Sequence, residues 1–101
     1  MLISSQRYLD QEIVDAKIAA NDFVVSVSPE FALNGVATRV VLDGHHSYAA
    51  AVQTGNEPVL EEVDSCSEVA TVLRDHGVDA LLEVTYQEDS WYDVADGVIV
   101  L

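Results

Sequence analysis

Residues 40–51 read VVLDGHHSYAAA: Val40, Val41 and Leu42, the pair Asp43-Gly44, then His45, His46 and Ser47 leading into Tyr48 and three alanines. Apolar, partly β-branched residues give way to a turn pair and then to strong helix formers. The stretch therefore predicts strand, tight turn and helix. The helix is expected over His46–Thr54, with Gly55 as its C-cap. A helix entered in this way presents unpaired N–H groups and the positive end of its dipole at the turn. Gly44 lets the backbone approach a ligand closely, and two imidazoles and a hydroxyl add donors at the same spot. That is the chemistry of a phosphate cradle, with Gly44, His45, His46 and Ser47 as candidate ligands. The plainer reading of the same residues is a helix capped by Asp43, with the histidines as partly exposed turn residues.

Working outward, Asp10 can cap a helix running to about Ala20, with Ile13, Ala16 and Ala20 on one face and Val14 and Ile18 beside them. Asn21-Asp22 ends it, and residues 23–27 form a β-rich strand. Asn34-Gly35 is a turn dipeptide able to join two strands, and residues 39–42 are the next strand. Residues 58–63 are expected as a strand. Ser65, followed three residues later by Glu68, has the capping-box pattern. It opens a third helix to about His76, with Val69, Val72 and Leu73 inward and Gly77 as the stop. Residues 80–86 and 97–101 are expected as strands, flanking an acidic loop. Strands and helices alternate over one domain, residues 1–101, which predicts an α/β or α+β layer fold with about three helices and five strands.

The chain has 101 residues and is half hydrophobic, enough for a modest core. Its formal charge is −14. Residues 1–50 carry six acids and three bases, whereas residues 51–101 carry twelve acids and the single base Arg74. A surface this negative repels phosphate backbones, so direct binding to nucleic acid or to an anionic membrane is disfavoured. It suits a basic protein partner or a high-salt cytoplasm. A lone cysteine, Cys66, excludes an internal disulfide and a cysteine-based zinc site and fits a reducing compartment. Without a secretory signal or a membrane-spanning run, the expected location is the cytoplasm.

The string LDGHHSYAAAVQTGNEPV, residues 42–59, resembles the DGHHR-type box of ParB-like proteins within the ParB/sulfiredoxin superfamily. Ser5-Gln6-Arg7-Tyr8-Leu9, a helix and then FVVSV resemble the opening segment of its small ParB-like members, so the resemblance runs over roughly residues 4–64. It implies a small mixed sheet of the ParB/sulfiredoxin type and a nucleotide or phosphate held at the box. Members include CTP-hydrolysing partition proteins, ATP-using sulfiredoxins, free serine kinases and proteins described as nucleases. Asp43, Gly44, His45 and His46 match the box. The family pattern places Arg where this chain has Ser47, and neither an arginine-rich box nor a helix-turn-helix module is present. The implied ligands are ATP, ADP or CTP with Mg2+, and the implied activity is that of a small phosphotransferase, a nucleotide hydrolase or a degenerate binder.

Either Arg7 or Arg39 can stand in for the missing arginine, with an ordinary surface ion pair as the alternative for each. Asp43, His46 and Glu30 are candidates for proton transfer, alongside Asp10 and Glu12. Lys17 is expected to lie along its helix as a snorkelling side chain. His45, His46 and His76 are not spaced as a metal site, and Cys66 is surrounded by acids that oppose a reactive thiolate. Trp91 and Tyr92, between Asp89 and Asp93, present aromatic anchors among carboxylates, suited to a basic protein surface. Alternatively, Trp91 closes one end of a small core. The chain thus has a second reading as an acidic protein-interaction module, a phage or plasmid inhibitor mimicking nucleic-acid charge. In either case the charge repels itself. The melting temperature should rise as NaCl goes from very low to about 0.1 M, where the screening length falls to about 10 Å. A flat salt dependence in thermal melts would remove self-repulsion as a significant term.

Overall fold

The strand that enters the DGHH turn is the centre of the sheet. In the computed structural model, β4 (Val36–Asp43) pairs in parallel with β1 (Leu2–Ser4) on one side. On the other it pairs antiparallel with β2 (Val24–Val27) and β3 (Phe31–Leu33). Beyond β2 lies β5 (Val59–Glu62), parallel to it, and beyond β1 lies the short β6 (Tyr92–Asp93), antiparallel. The fold is a six-stranded mixed sheet with four helices, an α+β architecture. No helix is long and apolar enough to cross a membrane.

The local signals explain most elements. Asp10 caps α1 (Gln11–Ala19), its carboxylate accepting from the Glu12 N–H at 3.0 Å. Asn21, at φ 51°, ends that segment. Asn34 and Gly35, at φ 52° and 79°, form the hairpin between β3 and β4, the positive-φ pair that matches strand twist. α2 (His45–Thr54) starts one residue earlier than expected and ends on Gly55 at φ 70°. Its Ala50 and Ala51 are completely buried.

The largest core cluster joins Ile3, Phe31, Leu33, Val40, Leu81 and Trp91. Val69, Leu73, Val78 and Leu82, from α3 (Glu68–His76) and α4 (Val78–Thr85), pack against it. Val14, Val25, Val27, Ala50 and Ala51 are buried outside that cluster, where α1 packs on α2 and α2 on β2.

Several expectations are corrected. Residues 80–86 are not a strand but belong largely to α4, because Leu81 and Thr85 recur at i and i+4 on its buried face and Asp79 sits in its first turn. Residues 97–101 form no strand, and Ile99 makes only an isolated bridge to Tyr92. The acidic loop instead contributes β6. In α1 the buried residue is Val14, whereas Ile13, Ala16 and Ala20 are exposed. The cap of α3 is Ser67, not Ser65; its hydroxyl accepts from the Ala70 N–H, while the Asp64 carboxylate takes the Cys66 N–H and shapes the preceding turn.

Gly44 is held at φ 94°, and a Cβ built there would stand 2.6 Å from the Val24 carbonyl oxygen and 2.9 Å from Val25 Cα. The close approach in the structure is to β2. Gly35 is also left-handed, at φ 79°, but a Cβ there meets nothing within 4 Å. Gly35→Ala should therefore cost only the left-handed backbone strain of about 1–2 kcal/mol, a fall of about 5 °C per kcal/mol for a chain of this size. Gly44→Ala should cost clearly more, because β2 must also move. Equal melting temperatures for the two variants would show that the approach to β2 is not tight.

Candidate functional site

The N-terminus of α2 is unlike those of α1 and α3. Those two are capped by a side chain and carry Glu12 and Glu68 in the first turn. α2 begins at Gly44 with no side-chain cap and no acid in its first turn. Asp43, the expected cap, instead accepts from the Gly44 N–H at 2.8 Å. The N–H groups of His45, His46 and Ser47 are thus left without an intrahelical or side-chain partner. His45 and His46 sit at a groove of about 330 Å³ whose polar lining includes Gln6, Lys17, Asp43 and Gln87, while Ser47 lines an adjoining groove with Asp22 and Glu61.

Distant segments are pinned together to make that lining. The Ser5 hydroxyl accepts from the Gln87 N–H at 2.7 Å, and the Ser5 carbonyl accepts from the Asp89 N–H at 3.0 Å. The Glu88 carboxylate accepts from the N–H groups of Tyr8, at 2.8 Å, and Arg7. Those two bonds hold the Glu88 carboxyl below the usual carboxylate range. His46 is tied to α1, its Nε2 accepting from the Asp10 N–H at 3.2 Å. In the neutral ring this leaves the proton on Nδ1.

His45 lies between two cavities. It lines the groove and also an apolar cleft of about 280 Å³ with Leu9, Tyr48, Val52, Tyr92 and Val94. Its Nε2 is buried without a partner. Burial, then the neighbouring His46, pushes its pKa down, with Glu88 opposing. Burial first, then Asp93 and Tyr92, pushes the Tyr48 hydroxyl up.

The structure does not bring all the candidate residues together. Ser47 is only 1 % exposed, and it borders a second polar groove beside the turn, with Lys17, Asp22, Asp43, Gly44 and Glu61. Lys17, the Val24 N–H and Ser47 together hold the Asp22 carboxyl below its usual range. An arginine at position 47 would need that space, which gives a physical reason for the small residue. Arg39 and Glu30 line a different groove with Leu60 and Thr38. Arg39 donates to the Ser28 carbonyl and to Glu62, so its guanidinium is committed away from the turn. The reading of Trp91 and Tyr92 as exposed anchors is corrected. They are 7 % and 8 % exposed, because Trp91 belongs to the core cluster and the Tyr92 hydroxyl donates to the Gln6 carbonyl at 2.6 Å. Asp89 pairs with Arg7, which also lies over the Tyr92 ring, and Asp93 pairs with Ile3 in the sheet.

Lys17 lines the groove, and its ammonium pairs with Asp22 at 3.0 Å. Gln6 and Gln87 carried no local signal, since only the folded pairing of their segments places them here. No group of three or more His, Cys, Asp or Glu side chains is placed to hold a metal ion. No family model, curated protein or solved structure matches the chain.

The lowered His45 pKa sets a pH dependence. Because the folded value lies below the unfolded one near 6.5, the folded state binds fewer protons as pH drops past that value. The stabilising contribution is full above about pH 6.5 and is lost as pH falls through the folded value. His45→Gln should reduce the loss of melting temperature between about pH 7.5 and about pH 5.5. A loss as large as that of the wild type would place the acid-sensitive group elsewhere.

Proposed function

We propose that the groove at the start of α2 binds a small phosphate-bearing molecule, a nucleotide such as ATP, ADP or CTP. The observation that carries this reading is the uncapped, acid-free first turn of α2 opening onto a groove lined by Lys17, His46, Gln6 and Gln87. First-turn N–H groups and the helix dipole attract an anion. His46 Nδ1–H and the Lys17 ammonium add donors. The apolar cleft that shares His45 is walled by Tyr48 and Tyr92 and suits the flat ring of a base. The resemblance of residues 42–59 to the ParB-like box supports the same assignment.

Asp43 is the one carboxylate in the groove lining. A Mg2+ ion carried on nucleotide phosphates is met by one or two carboxylates in such sites, so Asp43 is the residue to hold it. Asp43 and His46 are also the groove's candidates for proton transfer, which would extend binding to a phosphotransfer or hydrolytic reaction. Glu30 and Arg39 take no part in this reading.

A second reading, an acidic surface for a basic protein, is supported by the excess of twelve acids over one base after residue 50. Burial of Trp91 and Tyr92 removes them as its anchors.

Isothermal titration with pyrophosphate, ATP, ADP and CTP separates the two. Wild type should bind at least one of them. Lys17→Met and His46→Ala should each weaken binding by about tenfold or more, the worth of one charge-assisted hydrogen bond, with circular dichroism confirming the fold. No binding of any ligand, or binding unchanged in both variants, would overturn the nucleotide reading.

A further inference from the structure

β5 is bonded on one side only. The Val59 N–H donates to the Phe23 carbonyl at 2.8 Å and the Val63 N–H to the Val27 carbonyl at 3.0 Å. The two-residue period of a strand gives Glu61 the same direction. The N–H and C=O groups of Leu60 and Glu62 therefore point away from the sheet, at the end of its strand order. All four residues of β5 are exposed, Val59 at 51 % and Leu60 at 47 %. The far edge is closed differently, by the two-residue β6 and its bridge to Ile99. An exposed edge with free backbone groups is a template for an added strand.

Charge selects the occupant. Residues 57–68 contain Glu57, Glu61, Glu62, Asp64 and Glu68 and no base. Glu61 forms no salt bridge, and Glu62 is met only by Arg39. Pairing with a second copy would bring two such segments together, which like-charge repulsion opposes. Each face of β5 carries one apolar residue and one carboxylate: Val59 with Glu61, Leu60 with Glu62. The complementary strand has two adjacent apolar β-formers next to two adjacent bases.

We infer that the open edge of β5 is a docking site for an extended basic segment of another protein, added as a further strand. This rests on the acidic-surface reading and gives that surface a location and a binding mode.

The test uses the blocked peptide TKKVIT, its charge-reversed control TEEVIT, and oligolysine as a probe of acidic surface alone. TKKVIT should slow hydrogen exchange at the Leu60 and Glu62 amides and bind at least about fivefold more tightly than TEEVIT. Leu60→Pro removes an outward N–H without touching the bonds from β5 to β2. It should abolish TKKVIT binding while leaving oligolysine binding in place. Glu61→Gln, an exposed change that spares the fold, should weaken TKKVIT and make its binding less salt-sensitive. If oligolysine binds while TKKVIT leaves the Leu60 and Glu62 amides unprotected, the edge proposal falls and the acidic-surface reading stands. If neither probe binds, both fall. A salt-independent dimer formed through β5 would also overturn the proposal.

Discussion

The packing of the Gly44 backbone against β2 is the constraint on which the rest of the structure depends. With a hypothetical Cβ only 2.6 Å from the Val24 carbonyl oxygen, the chain leaving β4 passes β2 at a distance only glycine permits. That approach, with φ at 94°, sets the direction of α2 and carries Ala50 and Ala51 into full burial. It also commits Asp43 to the Gly44 N–H rather than to capping the helix. The open N-terminus of α2 is thus a consequence of how the strand is turned. The proposed function grows from that geometric side effect together with the Asp10–His46 bond, which brings α1 and its Lys17 to the same place.

The segment around this turn was legible in the sequence because its signals agree. Val40 to Leu42, Asp43-Gly44, the alanine run and Gly55 each favour the element they form. The last quarter was not. The run ALLEV is short and apolar and reads equally as buried strand or helix; the structure makes it α4, placing Leu81 in the core and exposing Val84. Acidic neighbours leave Trp91 open to both readings, exposed anchor or core residue, and the structure takes the core one. Burial of Trp91 and Tyr92 depends on long-range bonds from Ser5, Gln6 and the Glu88 carboxylate, which no local pattern encodes. At the site, the turn residues were found and the framing residues Gln6 and Gln87 were not, for the same reason.

An anion site in a chain of charge −14 works against the field of the whole molecule. Locally the balance differs. The first turn of α2 carries no acid, Lys17 is close, and Asp43 is held by a backbone N–H. Added salt screens the long-range repulsion more than it weakens short, partly enclosed contacts, so moderate salt favours both the fold and an anionic ligand. Most acids lie on β5 and the segments after it, and Glu61 of β5 borders a groove beside the turn together with Lys17, Asp22 and Ser47, so the proposed phosphate site and the proposed basic-strand site are neighbours on one small chain.

The most direct measurement is a titration of the isotope-labelled protein with pyrophosphate, followed by backbone amide shifts. Saturable movement of the His45, His46 and Ser47 amides, with the β5 amides unmoved, is the expected result. If the first-turn amides of α2 stay still while the protein remains folded, the open helix terminus is not a phosphate site.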